Sequence, residues 1–283
     1  TFTYFEEGIF AVKQGKPDFW LIFITFVLVG FGLVMVFSTS YFKGFTDPHI
    51  HDGYYFFKKQ LGFALAGLIL FFIFSNIPYM VYRKFIVPII FLCVISIVIV
   101  MIPGIGVYVN GARRWINLGL FSFQPSEYVK LGMIIYTASI MVKKQPHLDK
   151  FSRSIVPPLF VIASVCGLLL VQPHFSATVI IIATCITIIF CSGVRLRHLF
   201  LLGSVGVPVL VGIMLLGDYR VERLNALFNP LSDPSDSGYQ IMQSLIAIGP
   251  GGITGTGLGK SIQKMAYLPE AHTDFIFSIV AEE

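Results

Sequence analysis

Residues 20 to 39 read WLIFITFVLVGFGLVMVFST, twenty consecutive positions without a charged side chain. At about 1.5 Å per helical residue such a run covers roughly 30 Å, the thickness of a bilayer's hydrocarbon core. No small-residue cleavage pattern follows it, and comparable runs recur, so a lone signal peptide is excluded. The others lie at Leu61–Ile77, Phe85–Ile102, Tyr128–Val142, Ile155–Val171, Ala177–Cys191 and Leu199–Leu216, seven in all. An eighth opens at Phe275 as FIFSIVAEE and reaches only Glu283. The expectation is an all-α fold, a polytopic membrane helix bundle with seven spans complete and an eighth begun. The chain reads as cut inside a membrane segment, with a start Met and more missing before Thr1.

Composition agrees: of 283 residues 55% are hydrophobic and 12% charged, with a mean hydropathy of +0.81, which excludes an ordinary soluble domain. The four cysteines, Cys93, Cys166, Cys185 and Cys191, sit in or at the end of apolar runs, so neither a disulfide frame nor a CxxC metal site has support. A net charge of +5 is scattered singly and in pairs between spans, which suits membrane topology and not nucleic acid. With the N-terminus placed inside, the short cytoplasmic turns carry Arg83 and Lys84, Lys143, Lys144, Lys150 and Arg153, and Arg195 and Arg197. The two largest polar insertions, residues 103–127 and 218–274, then face outward, and insertions of that length tend to carry function.

In the first insertion, Gly104, Gly106, Gly111 and Gly119 permit tight turns, and Arg113 and Arg114 stand beside Trp115. An interfacial anchor is one reading. Two outward arginines run against the positive-inside bias and point to the other, an anionic ligand such as a phosphate. Gln124-Pro125-Ser126 starts a helix with Pro in its first turn, and Glu127 and Lys130 fall three apart on one face, spaced to pair. Inside a span such a pair either lines a wet cavity or is a structural ion pair. The next outer turn, VQPHFSAT, holds Gln172 and His174; a lone His there reads first as a hydrogen-bonded turn residue.

The second insertion contains NPLSDPSDSGYQIMQS, residues 229–244. Ser237 to Gln240 has capping-box spacing, and Gly249-Pro250-Gly251-Gly252 reads as a stop, so a short helix of about ten residues is expected between them. Gln240, Gln243 and Ser244 share one face of it. Asp236 is explained by the helix dipole, whereas Asp233 lies upstream of the first turn and is not. The segment GTGLGK, residues 255–260, belongs to a flexible glycine-rich stretch with Lys260 and Lys264; it lacks the Walker spacing for ATP, although a phosphate cradle is conceivable. His272 follows at the head of the last span.

The strings NGARRWINLG, QPSEYVKLG, SGYQIMQSLIAIGPGGITGTGLGKSIQK and YLPEAHTDFIFSIVAEE together resemble the SEDS family (shape, elongation, division and sporulation), which includes FtsW, RodA and SpoVE. The likeness covers nearly the whole chain and is closer to the FtsW and SpoVE branch. It implies one SEDS-type transmembrane domain over 1–283 of about ten spans when complete, its large outer loop at 218–274, in the bacterial plasma membrane. It also implies polymerisation of lipid II into peptidoglycan glycan strands for division or sporulation, with a class B penicillin-binding protein and other division or sporulation proteins as partners. The acid that the family relies on falls on Asp233. Two departures stand out: Asp236 replaces a usual Gly, and Gln172-Pro173-His174-Phe175-Ser176 replaces a turn that often reads Q-P-D-F-G, so no acidic role passes to position 174.

Glycan transfer from a lipid pyrophosphate needs a base near the attacking hydroxyl and positive charge near the departing phosphates. Asp233 supplies the first by resemblance. The expected substrate contacts are Arg113, Arg114, Trp115, Glu127, Lys130, Gln172, Gln240, Gln243, Ser244, Lys260, Lys264 and His272. No cofactor is demanded, though a divalent cation, Mg2+ or Mn2+, bridging Asp233 and pyrophosphate is a plausible addition. The rival readings are a lipid II flippase, which needs cavity charges from both leaflets, and a non-catalytic scaffold of the cell-wall complex.

Overall fold

The computed structural model describes residues 17–109, 111–117, 119, 122–232 and 237–283. Among them the helices are α1 (Phe19–Thr46), α2 (Tyr55–Ser75), α3 (Tyr79–Lys84), α4 (Ile86–Met101), α5 (Pro125–Lys144), α6 (Phe151–Ser154), α7 (Val156–Val171), α8 (Phe175–Cys191), α9 (Leu196–Leu215), α10 (Asp218–Phe228), α11 (Ser237–Gly251) and α12 (Ile276–Glu282). Each of the seven apolar runs lies on one helix, with edges displaced by a few residues. The helices α1, α2 and α9 are each long and apolar enough to cross a membrane. Helix α4 is only 16 residues, and the short α3 precedes it almost without a break. The chain is a polytopic helical membrane protein.

Local chemistry sets the ends. Asp18 caps α1 by accepting from the Trp20 and Leu21 amides at 3.0 and 3.2 Å. Pro125 occupies the first turn of α5, and Lys143 and Lys144 sit in its last turn, where the helix dipole favours cations.

The chain divides into two compact units, one of residues 78–216 and one joining residues 17–77 to 217–283. The first has a core of Ile97, Val129, Met133, Leu169, Ile181 and Ile189 from α4, α5, α7 and α8, each fully buried. Gly132 lets α5 approach α4 closely: a Cβ there would lie 2.6 Å from Cys93 Sγ. Cys93, Cys166 and Cys185 are buried and free, as the apolar setting implied, whereas Cys191 is free but exposed.

The insertion at 103–127 departs from the all-α expectation. It folds as a three-stranded antiparallel sheet, β1 (Gly106–Val109), β2 (Ala112–Asn117) and β3 (Ser122–Phe123), in the order β1-β2-β3. Gly111, at φ +78, makes the hairpin turn, and Gly104 and Gly119 also take positive φ. Gly106 does not; it is needed because a Cβ would lie 2.0 Å from the Val100 carbonyl oxygen.

In the second unit, α11 runs 15 residues, beyond the ten or so expected, because Gly249-Pro250-Gly251 continues the helix and the turn comes at Gly252, φ +55. Gly251 packs against α12, where a Cβ would lie 1.8 Å from the Ala281 carbonyl oxygen. Helix α11 still spans only about 22 Å, short of the bilayer core.

Gly251→Ala is expected to destabilise the detergent-solubilised protein by about 1–3 kcal/mol, since the clash is with backbone and has no cheap relief. Gly203, in α9, has open space where its Cβ would be, so Gly203→Ala raises stability by about 0.5–1 kcal/mol. Thermal midpoints of the two variants should therefore move in opposite directions.

Candidate functional site

In the first unit the sheet separates the two arginines. The pairing passes from Val107↔Trp115 to Tyr108↔Arg113, so Arg114 has no residue opposite it and forms a bulge. Bulges redirect side chains. Arg113 lies over the Tyr108 ring, its guanidinium carbon 5.9 Å from the centroid, whereas the Arg114 guanidinium donates to the Pro173 carbonyl oxygen. The pair predicted to act together thus does two different jobs, and Trp115, next in the strand, is exposed.

Arg114 reaches the turn that leads into α8, where His174 is the N-cap residue. Lys130 and Glu127 pair at 2.8 Å on α5, as their spacing predicted. Three polar atoms here are buried without a partner among the described residues: Arg114 Nε, Ser126 Oγ and His174 Nδ1. Ser126 is only 3% exposed and went unnoticed in the sequence, since a Ser after Pro in a helix's first turn looks like capping chemistry. Orphaned buried groups of this kind are uncommon and mark a place where something else completes the bonding. His174, expected as a satisfied turn residue, has its Nδ1 unpaired.

Gln172 is spent on structure: its Nε2 donates to the Ile97 carbonyl at 2.7 Å and the residue is buried, tying the end of α7 to α4. It is not displayed to a substrate from the surface.

In the second unit, Asp233 and Asp236 lie outside the described residues. On α11, which follows them, Gln240 and Gln243 are half-buried and Ser244 Oγ lies 2.6 Å from Ser278 Oγ on α12. Lys260 is exposed, with no ion pair among the described residues. Lys264 is different: it is largely withdrawn from solvent, its side chain 9% exposed, and paired with Glu283. The glycine-rich segment is therefore not an open phosphate cradle. Thr256 N donates to the Glu282 carbonyl at 2.8 Å, and Ile262 N donates to the Glu282 carboxylate at 2.9 Å, so the segment wraps the protein's own glutamates. Two adjacent acids within an apolar run were the signal that sequence reading passed over, because an ionisable group there demands a partner.

His272 stacks edge-on against Phe56, ring centroids 4.9 Å apart. Burial lowers its pKa from the ordinary histidine value, Lys43 adds to this, and Glu270 and Asp274 oppose. Among the described residues no three His, Cys, Asp or Glu side chains come together to hold a metal ion.

His174 also titrates below the ordinary value of 6.5: burial is the main cause, Arg114 adds to it, Glu127 opposes, and Lys130 adds. The patch at neutral pH is thus two cations, one carboxylate, a neutral imidazole and unfilled N–H and O–H groups, an arrangement suited to an anionic group. The unfolded chain takes up the His174 proton before the folded chain does, so folding stability falls as pH drops through about 6.5. His174→Asn should flatten the decline in thermal midpoint between about pH 7 and pH 5, with His272 unchanged in both proteins.

The FtsW/RodA/SpoVE family, described as "Cell cycle protein", matches residues 19–283. Stage V sporulation protein E of Bacillus subtilis (strain 168) is 42% identical over 273 residues, 96% of this chain and 74% of that protein. "Probable peptidoglycan glycosyltransferase FtsW" of Trichlorobacter lovleyi is 42% identical over 271 residues, 96% of this chain and 71% of that one. A chain from a solved structure described as "Structural coordination of polymerization and crosslinking by a peptidoglycan synthase complex" is 29% identical, with a TM-score of 0.69, covering 94% of this chain and 70% of that chain. The rod shape determining protein RodA of Thermus thermophilus shares the fold at 21% identity and a TM-score of 0.54, over 94% of this chain and 92% of that one.

Proposed function

The chain belongs to the FtsW/RodA/SpoVE family, and on that premise we propose that it is a peptidoglycan glycosyltransferase that polymerises lipid II with Asp233 as general base. The observation that carries the activity is its 42% identity, over 96% of its length, to a relative named as a peptidoglycan glycosyltransferase. The cationic patch with its unfilled donors is what favours transfer from a pyrophosphate over a scaffold without chemistry.

In the proposed step the 4-hydroxyl of the acceptor sugar attacks the anomeric carbon of the donor. The new C–O bond forms on the face opposite the breaking bond to phosphate, and configuration inverts. The hydroxyl proton passes to the Asp233 carboxylate, and the electron pair of the broken bond leaves on the lipid pyrophosphate. Arg114 and Lys130, with the Arg114 Nε–H and Ser126 O–H free to donate, offer positive charge and hydrogen bonds to that leaving group. No step here is routed through a metal ion. Added Mg2+ or Mn2+ against chelator reads whether a cation assists.

The N-terminus is placed inside and the insertions at 103–127 and 218–274 outside, supported by the basic turns at Arg83 and Lys84, Lys143 and Lys144, and Arg195 and Arg197. A class B penicillin-binding protein is the proposed partner; the 29% identical chain from a complex described as coordinating polymerization and crosslinking supports it.

The test is glycan-strand synthesis from purified lipid II by the full-length protein with that partner. Asp233→Asn should abolish polymer with protein folded and partner bound, whereas Asp236→Ala should retain it. Polymer from Asp233→Asn at the wild-type rate sinks the assignment. Arg114→Ala, losing a charge-assisted contact of about 1.5–3 kcal/mol, should lower kcat/KM roughly 10- to 100-fold.

A further inference from the structure

The second unit contains a buried polar staple that the reaction chemistry leaves unused. Lys264 Nζ and Glu283 Oε1 form an ion pair in which the side chains are 9% and 2% exposed. Ser38, on α1, completes it. Its hydroxyl donates to the Glu283 carboxylate, at 3.0 and 2.9 Å from the two oxygens, and accepts from Lys264 Nζ at 3.0 Å. The neighbouring Glu282, 4% exposed, accepts from Ser261 Oγ and from Ile262 N. Ser261 Oγ in turn accepts from Lys264 N at 3.2 Å.

A buried ion pair is a poor source of net stability, because desolvation consumes most of the Coulomb gain. Its directional bonds fix a register that apolar side chains would leave free to slide. The register fixed here is that of the loop after α11 against α1 and α12. Three residues beyond Lys264, the Tyr267 carbonyl accepts from Tyr239 Oη at 3.0 Å. Tyr239 stands at the head of α11, two residues after Ser237, where the chain arrives from Asp233 to Asp236. The tail of α11 is seated separately, through Gly251 against Ala281 and Ser244 against Ser278.

We propose that Lys264 is a positioning residue for glycan transfer: paired with Glu283 and Ser38, it fixes the loop whose Tyr267 carbonyl holds the head of α11, the helix that follows Asp233 in the chain. Lys264 touches no substrate in this account, which replaces its expected place as a phosphate contact. The proposal rests on the glycosyltransferase reading above.

The experiment compares wild type, Lys264→Met, Lys264→Arg and the double variant Lys264→Met with Glu283→Gln, all as full-length protein with its penicillin-binding partner. Activity is expressed per folded molecule, and amide hydrogen exchange is followed over residues 238–243. Lys264→Met is expected to lower kcat about tenfold with KM for lipid II within about twofold, and to speed exchange at the head of α11. Lys264→Arg, which keeps the charge, restores most of both. If Lys264→Met fails to fold, the double variant leaves no unpaired buried charge and must show the same kcat loss. A raised KM with unchanged kcat overturns the proposal and makes Lys264 a ligand contact. Unchanged kcat and exchange also overturn it. Wild-type protein that makes no polymer instead fails the glycosyltransferase reading, and is seen without any variant.

Discussion

Hydrocarbon supplies no hydrogen bonds, so each backbone N–H and C=O inside a bilayer must be satisfied by the chain itself. That constraint sorts the molecule. Apolar sequence has to be helix, and the ladder of α1 runs unbroken from Phe19 to Thr46. Non-helical backbone and charge are pushed to where helices end. There the chain builds what a span cannot hold: a small sheet whose bulge turns Arg114 toward the Pro173 carbonyl, and a glycine-rich segment that closes around Glu282 and Glu283.

The same constraint explains two different treatments of charge. In the second unit the Glu282 and Glu283 carboxylates are saturated by Ser38, Ser261, Ile262 N and Lys264, as a buried anion requires. In the first unit, Arg114 Nε, Ser126 Oγ and His174 Nδ1 are buried and left without partners among the described residues. A saturated network holds geometry, and an unsaturated one has bonding capacity to spend on a substrate.

The spans were legible in the sequence because hydrophobicity alone decides them: all seven runs lie on helices, and Pro125 marks the start of α5 as expected. The Glu127 and Lys130 pair followed from helical spacing. The sheet at 106–123 was not legible, since glycines signal turns but do not reveal which flanking segments pair. Nor was the fate of Lys264. A lysine after GTGLGK reads as an anion contact, and only tertiary structure shows that the anion is Glu283, nineteen residues on. His174 resisted for another reason: its setting comes from α5 and the sheet, both distant in sequence.

Proposed as a glycosyltransferase, this membrane domain performs chemistry on its lipid substrate and does not merely carry it across the bilayer. Proteoliposomes holding the full-length protein, its penicillin-binding partner and fluorescent lipid II measure both at once. Glycosyltransferase activity predicts long glycan strands, with no protein-dependent transfer of unpolymerised lipid II between leaflets. Transfer between leaflets without polymer would contradict it and establish the chain as a transporter.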